Sequence, residues 1–279
     1  MSNLNFELFL ETIDFSADIF KTSHLKSYRQ ENVHITKENI DDLHRHIILI
    51  KGDWLNFDCN VQGENYYITV NIIFHSLDLS EHENLIIEKI IEKCDAIIWG
   101  FNKCELQSTV KGNLELIDTI VDEDGIVIKA KEGGGWGIAE DIISILQARD
   151  IKFKILRQQD SRFDGGVSGG FEEILLFIGT SAVSGITWDV LKGMITSRIG
   201  IENLRTTIID GYKFKQFRRA LAERIVEDHT NLVLNDFYKQ QNEMIFEFKV
   251  YGINEQTITV LCNSEYQIQE LKVDRKECF

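Results

Sequence analysis

Proline is absent from the 279 residues, where average usage would put roughly 14. That excludes PxxP ligands, polyproline spacers and cis-proline switches. Cysteine is scarce: Cys59, Cys94, Cys104, Cys262 and Cys278 are odd in number, scattered and without a CxxC pair. A disulfide scaffold is excluded, and reduced thiols in a cytoplasm are expected. The amino end, MSNLNFELFLETIDF, has no basic n-region and carries acids through its apolar stretch, so it does not read as a secretory signal. Basic charge is also short, with 30 Lys and Arg against 45 Asp and Glu, a formal net charge of −15. Residues 1–140 hold 12 basic and 25 acidic side chains, whereas residues 141–279 hold 18 and 20. An acidic front half repels phosphate backbones and anionic lipid, so nucleic acid is not an expected partner.

At 43% hydrophobic and 27% charged, the chain is a soluble globular protein with enough apolar residues for two small cores. The expected class is α+β, with mainly antiparallel sheets and packed helices, in an acidic domain 1–132 and a second domain 133–279. Residues 3–20 place Leu4, Leu8, Phe9, Ile13, Phe15 and Ile19 at roughly helical spacing, a stripe blurred by Phe6 and Leu10. A polar loop or poorly marked helix follows over 21–42, and a strand over His46–Lys51. Alternation in Trp54–Val61 and Tyr66–Phe74, around a QGEN turn, predicts a β-hairpin. Ser80 and Glu83 form a capping box for a helix carrying Ile86, Ile87, Ile90, Ile91 and Cys94. A strand Ala96–Phe101 is expected next, then a hairpin of Leu114–Val121 and Gly125–Lys131 around an acidic turn.

From Gly133 the character changes. Gly133, Gly134, Gly135, Trp136 and Gly137 lead into an amphipathic helix, and a strand Ile151–Leu156 follows. The segment 171–199 is expected to be a helix, with Glu172 and Glu173 at its positive end. Its small residues Gly179, Ser181, Ala182, Ser184 and Gly185 would let another backbone approach closely. The 15 uncharged residues Ile174–Trp188 fall short of the about 20 needed to span a bilayer. A helix Tyr212–Glu227 places Phe214, Phe217, Leu221 and Ile225 on one stripe. It carries Lys213, Lys215, Arg218, Arg219 and Arg224 against Glu223. Four alternating strands close the chain.

Chemical motifs are sparse. The loop 133–137 follows a strand and opens a helix, as phosphate-cradling loops do, but lacks GxGxxG spacing and a P-loop lysine. His44 and His46 would share one side of a strand, yet no HExxH or paired CxxC accompanies them, and neither a metal nor a cofactor is expected. No GxSxG is present. The leading expectation is therefore a non-enzymatic cytoplasmic binding or adaptor protein, self-associating or bound to another protein. The basic helix would serve as its docking face for an acidic partner or a second copy. Isoleucine outnumbers alanine 39 to 8, a usage that suits an AT-rich bacterium or phage. Two other classes remain open: a membrane-active effector inserting 171–199, and a nucleotide-binding or hydrolytic enzyme using the loop 133–137.

Overall fold

A computed structural model of the chain describes residues 2–101, 123–133, 137–165, 168–180, 188–200, 202–240, 243–250 and 256–275. Among these residues the fold is α+β, with five α-helices and 12 strands that pair mostly antiparallel. The described residues divide into two compact units, neither continuous in sequence. Unit 1 draws on Met1–Gly112, Gly133–Trp136 and Gln159–Glu172, and unit 2 on Asn113–Glu132, Gly137–Gln158 and Glu173–Phe279.

Unit 1 opens with β1 (Ser2–Asp14) and β2 (Ile19–Val33), then α1 (Lys37–Lys51), β3 (Leu55–Gln62), β4 (Asn65–Phe74) and α2 (Glu81–Gly100). The strand order is β2-β1-β4-β3, with β1 antiparallel to β2 and parallel to β4. Leu4, Phe6 and Leu8 alternate inward on β1, as do Leu55, Phe57 and Cys59 on β3 and Ile68, Val70 and Ile72 on β4. They pack with Ile40, Leu43 and Ile47 of α1 and Ile87, Ile90, Cys94 and Ile98 of α2. Burying an aromatic such as Phe6 or Phe57 contributes roughly 1.5–3 kcal/mol. Both helices open with a capping box, Thr36 with Asn39 and Ser80 with Glu83, each cap stabilising by about 1 kcal/mol.

The expected hairpin and the Ser80 helix are present. Four other expectations are corrected. Residues 3–20 are not a helix, because burial alternates along Leu4, Phe6 and Leu8. Residues 21–33 belong to β2, an edge strand whose exposure leaves no apolar alternation to read. His46–Lys51 is the last turn and a half of α1, whose buried residues are spaced at three and four. Residues 96–100 complete α2, because Ile98 continues the stripe of Ile87, Ile90 and Cys94.

Unit 2 contains β5 (Gly125–Gly133), α3 (Ile138–Gln147), parts of β6 (Lys154–Asp164) and β7 (Ser168–Gly179), α4 (Trp188–Ile199), β8 (Leu204–Ile209) and α5 (Gly211–Ile225). Four closing strands follow, β9 (Leu232–Gln240), β10 (Glu243–Val250), β11 (Gln256–Asn263) and β12 (Ile268–Arg275). Two strand orders occur here, β6-β7-β5-β8 and β12-β11-β10-β9, so β8 and β9 are both edge strands among the described residues.

The expected helix from Phe171 is replaced by β7. Its apolar run Ile174–Ile178 is continuous because both faces are covered. Leu175 and Phe177 join the core under α5 with Phe214, Phe217, Phe246 and Phe248. Ile174, Leu176 and Ile178 join Ile138, Ile142, Leu191 and Ile195 of α3 and α4. Glu172 and Glu173 therefore do not cap a helix; they are buried strand residues. No helix among the described residues is long and apolar enough to cross a membrane. The expected strand Leu114–Val121 lies outside the described residues.

Candidate binding surfaces

In unit 1 four aromatic rings from four separate segments meet at one corner. Phe15 comes from the β1–β2 turn, Trp54 from the link between α1 and β3, His75 from the end of β4 and Phe163 from β6. The Trp54 and His75 ring centroids lie 4.0 Å apart, edge to face. Phe15 sits 5.2 Å from His75 and 6.4 Å from Trp54, and Phe163 lies 6.1 Å from Trp54. Phe15 is 62% exposed and Phe163 36%. Large aromatics in contact with one another yet open to solvent are the residue type that anchors protein interfaces.

Trp54 holds a left-handed backbone, φ 64°, a conformation costing a bulky residue of order 1–3 kcal/mol. Two main-chain hydrogen bonds fix it: Trp54 N–H donates to the Asp164 carbonyl, and Ile73 N–H donates to the Trp54 carbonyl at 3.0 Å. Asp164 is held in turn by its side chain. His44 of α1 meets the Asp164 carboxylate through Nε2 at 3.1 Å, and Arg162 Nη1 lies 3.4 Å from His44 Nδ1. A guanidinium can only donate, so Nδ1 accepts and the His44 proton sits on Nε2, facing Asp164. Arg162 also binds Asp41 and, through Nη2 at 2.6 Å, Asp160. Burial, reinforced by the Arg162 charge, holds the His44 imidazole below its ordinary titration range, with Asp164 partly opposing. His44 is thus a neutral linker in this chain of contacts.

Unit 2 carries a deeper ionic network. Lys129 bridges Asp236 at 2.6 Å and Glu173 at 3.0 Å. Arg157 binds Glu173 at 2.6 Å and the Asn235 carbonyl at 2.6 Å, and Asn235 donates to Glu247. Tyr238 donates its hydroxyl to Asp236 at 2.7 Å. That bond, with partial burial, raises the phenol's pKa. The network joins β5, β6, β7, β9 and β10 and uses these charges on one another, leaving the Tyr238 ring at its edge with Arg205 stacked 4.8 Å above it.

Beside that ring are two hollows of about 560 and 530 Å³ that share Thr206 and Lys239. The first is bounded by Arg205, Phe237, Tyr238 and Ile245. The second is bounded by Trp188, Ile208, Asp210, Lys213, Met244 and Tyr266 among others.

The five cations expected on one docking face have different roles in the fold. Arg218 is 2% exposed and donates to the main-chain carbonyls of His229 and Leu232. Lys213 pairs with Glu265. Arg219 and Arg224 are exposed, and Lys215 is half-buried. Of the close-packing set, Gly179 ends β7, where a Cβ would collide with the Glu123 carboxylate. Ser181, Ala182, Ser184 and Gly185 lie outside the described residues. Of the glycine loop, Gly133 ends β5 and Gly137 precedes α3 at φ 118°, while Gly134, Gly135 and Trp136 lie outside the described residues. His44 and His46 sit on a helix, not a strand: His44 points to Asp164, and His46 Nδ1 contacts the Asp42 carbonyl. Among the described residues no group of three His, Cys, Asp or Glu could hold a metal ion.

Sequence reasoning missed the aromatic corner, because its members share no spacing. The burial of Arg218 was open to detection, since it falls four residues after Phe214 and therefore on the same apolar stripe. Comparison with known protein families gives no match, and comparison with curated proteins gives none either.

Proposed function

We propose that the chain is a non-enzymatic binding protein, an adaptor, which recognises a protein partner through the Phe15–Trp54–His75–Phe163 corner of unit 1. The carrying observation is the left-handed Trp54, clamped by Asp164 and backed by His44 and Arg162, which presents a preorganised aromatic surface. Preorganisation lowers the ordering cost of association. Asp14, Asp18 and Asp53 flank the corner in sequence, which favours a partner with a basic rim.

The described thiols are unsuited to nucleophilic work. Cys59, Cys94 and Cys262 are buried, and burial pushes Cys94 and Cys262 up to about 12 and Cys59 higher still. The attacking species is the thiolate, which such sites suppress. The membrane reading loses its helix, because residues 168–179 form a strand.

The test places a photo-crosslinking benzoylphenylalanine at residue 15 in the producing cell, with the same group at Leu49, an exposed apolar residue on α1, as control. A discrete adduct from residue 15 and none from residue 49 is the expected result. Its mass identifies a second copy or a different protein. Identical adduct patterns from both positions contradict the proposal.

A further inference from the structure

The edge strands β8 and β9 both border the paired hollows of unit 2, which are lined by Arg205–Ile208 on one side and Phe237–Lys239 on the other. A strand at a sheet edge offers unpaired N–H and C=O groups to a further strand. We propose that this groove receives an extended acidic peptide segment, added as a strand along β8, at a site separate from the aromatic corner and independent of it.

Charge selects the occupant. In a chain of net charge −15, the groove is bounded by Arg205, Lys213 and Lys239, and Asp210 is the only carboxylate among its lining residues. Lys213 is matched by Glu265. Among the described residues Arg205 and Lys239 have no carboxylate within ion-pair distance. The Arg205 guanidinium carbon sits over the Tyr238 ring, 4.8 Å from its centroid, and that ring is fixed by its hydroxyl bond to Asp236. A planar fork fixed on an aromatic face is preorganised for a carboxylate.

Arg205 and Ile208 are the exposed residues of β8, with Ile208 73% exposed, and because they are three residues apart they lie on opposite faces of the strand. A strand laid beside them would set carboxylates against Arg205 and Lys239 and an apolar side chain against Ile208. Main-chain pairing would then supply affinity, and the alternate side chains specificity.

Fluorescence anisotropy on the full chain tests this with a labelled peptide of alternating Glu and Val. About eight residues at about 3.3 Å each span β8 with a margin. The expected result is saturable binding, with slowed hydrogen exchange at Leu204–Ile209. A Lys/Val peptide should bind at least about tenfold more weakly, as should the Glu/Val peptide N-methylated at alternate amides. Arg205→Glu with Lys239→Glu should weaken the Glu/Val peptide by about tenfold while melting is unchanged.

No saturable binding by about 1 mM overturns the proposal. Equal affinity of the N-methylated peptide removes the added strand, and it needs no protein variant that could fail to fold. Undiminished affinity in the charge-reversed chain would mean that the two cations only guard the edges against aggregation, which also overturns it.

Discussion

Each unit contains an ionic network centred on an arginine, and the two differ in depth. Arg157 and Lys129 in unit 2, with Glu173 and Asp236, keep side-chain exposures of 10% or less. In unit 1 the Arg162 side chain is 13% exposed, but its partner Asp41 is 32% exposed and Asp164 25%. Removing one member of the deep network strands a charge away from water, whereas the shallower one can be rescued by solvent. The deep set therefore ties strands together. The shallow set positions a backbone carbonyl, that of Asp164, under Trp54. Charge near the surface directs geometry here, and charge in the interior fixes the fold.

The largest separation between the two networks should come from Arg157→Met, which leaves the buried Glu173 with Lys129 as its one remaining cation of the pair and the Asn235 carbonyl without its guanidinium donor. A loss of about 3–5 kcal/mol is expected in urea unfolding of the full chain. A loss under about 1 kcal/mol would place the two networks on one footing. Next is Arg218→Ala, which abandons two main-chain carbonyls and should cost about 1–3 kcal/mol by the same measurement. Reversing Arg218 to glutamate would damage the fold rather than probe a docking face, whereas Arg219→Glu should change stability by less than about 0.5 kcal/mol.

Acidity should then act on unit 1 through His44. Its pKa is lower folded than unfolded, so the unfolded chain takes up the proton first. The stability that neutral His44 contributes is complete above the ordinary histidine value of about 6.5 and is lost as pH falls below it. Melting curves of the parent and His44→Gln should run parallel above about pH 6.5 and converge below it. Parallel curves down to the carboxylate range would show that His44 is not buried neutral. A small stability effect is also expected of Phe15→Ala with Phe163→Ala, exposed rings whose loss should change unfolding by under about 1 kcal/mol while abolishing the adduct from a crosslinker on the corner.

What was legible in the sequence follows from how evenly each element is covered. Strands with one wet face, such as β3, β4 and β9–β12, announce themselves by alternation. Helix α2 does so by its Ser80–Glu83 box, and α5 by the stripe from Phe214. Two of the misreadings occur where coverage is uniform: β7 is apolar on both faces and resembled a helix, and β2 is exposed on an edge and resembled a loop; the others, β1 and the last turns of α1 and α2, are short apolar runs that fit either period. The aromatic corner was illegible for a different reason. Phe15, Trp54, His75 and Phe163 are neighbours only after β1, β4 and β6 are aligned, and Trp54's left-handed backbone leaves no mark in its residue type. The expected docking helix was legible as a charge cluster, but its charges divide between a buried clamp, an ion pair and open surface.

The central claim is that a clamped, exposed aromatic corner, rather than the basic helix, carries recognition. Its most direct test is the crosslinking yield from residue 15 in chains carrying Trp54→Gly and Phe163→Ala, measured beside the thermal midpoint. Glycine accepts the left-handed backbone without strain, so the chain should stay folded at close to the parental midpoint while the adduct disappears. An adduct that persists at parental yield from a folded chain would contradict the account.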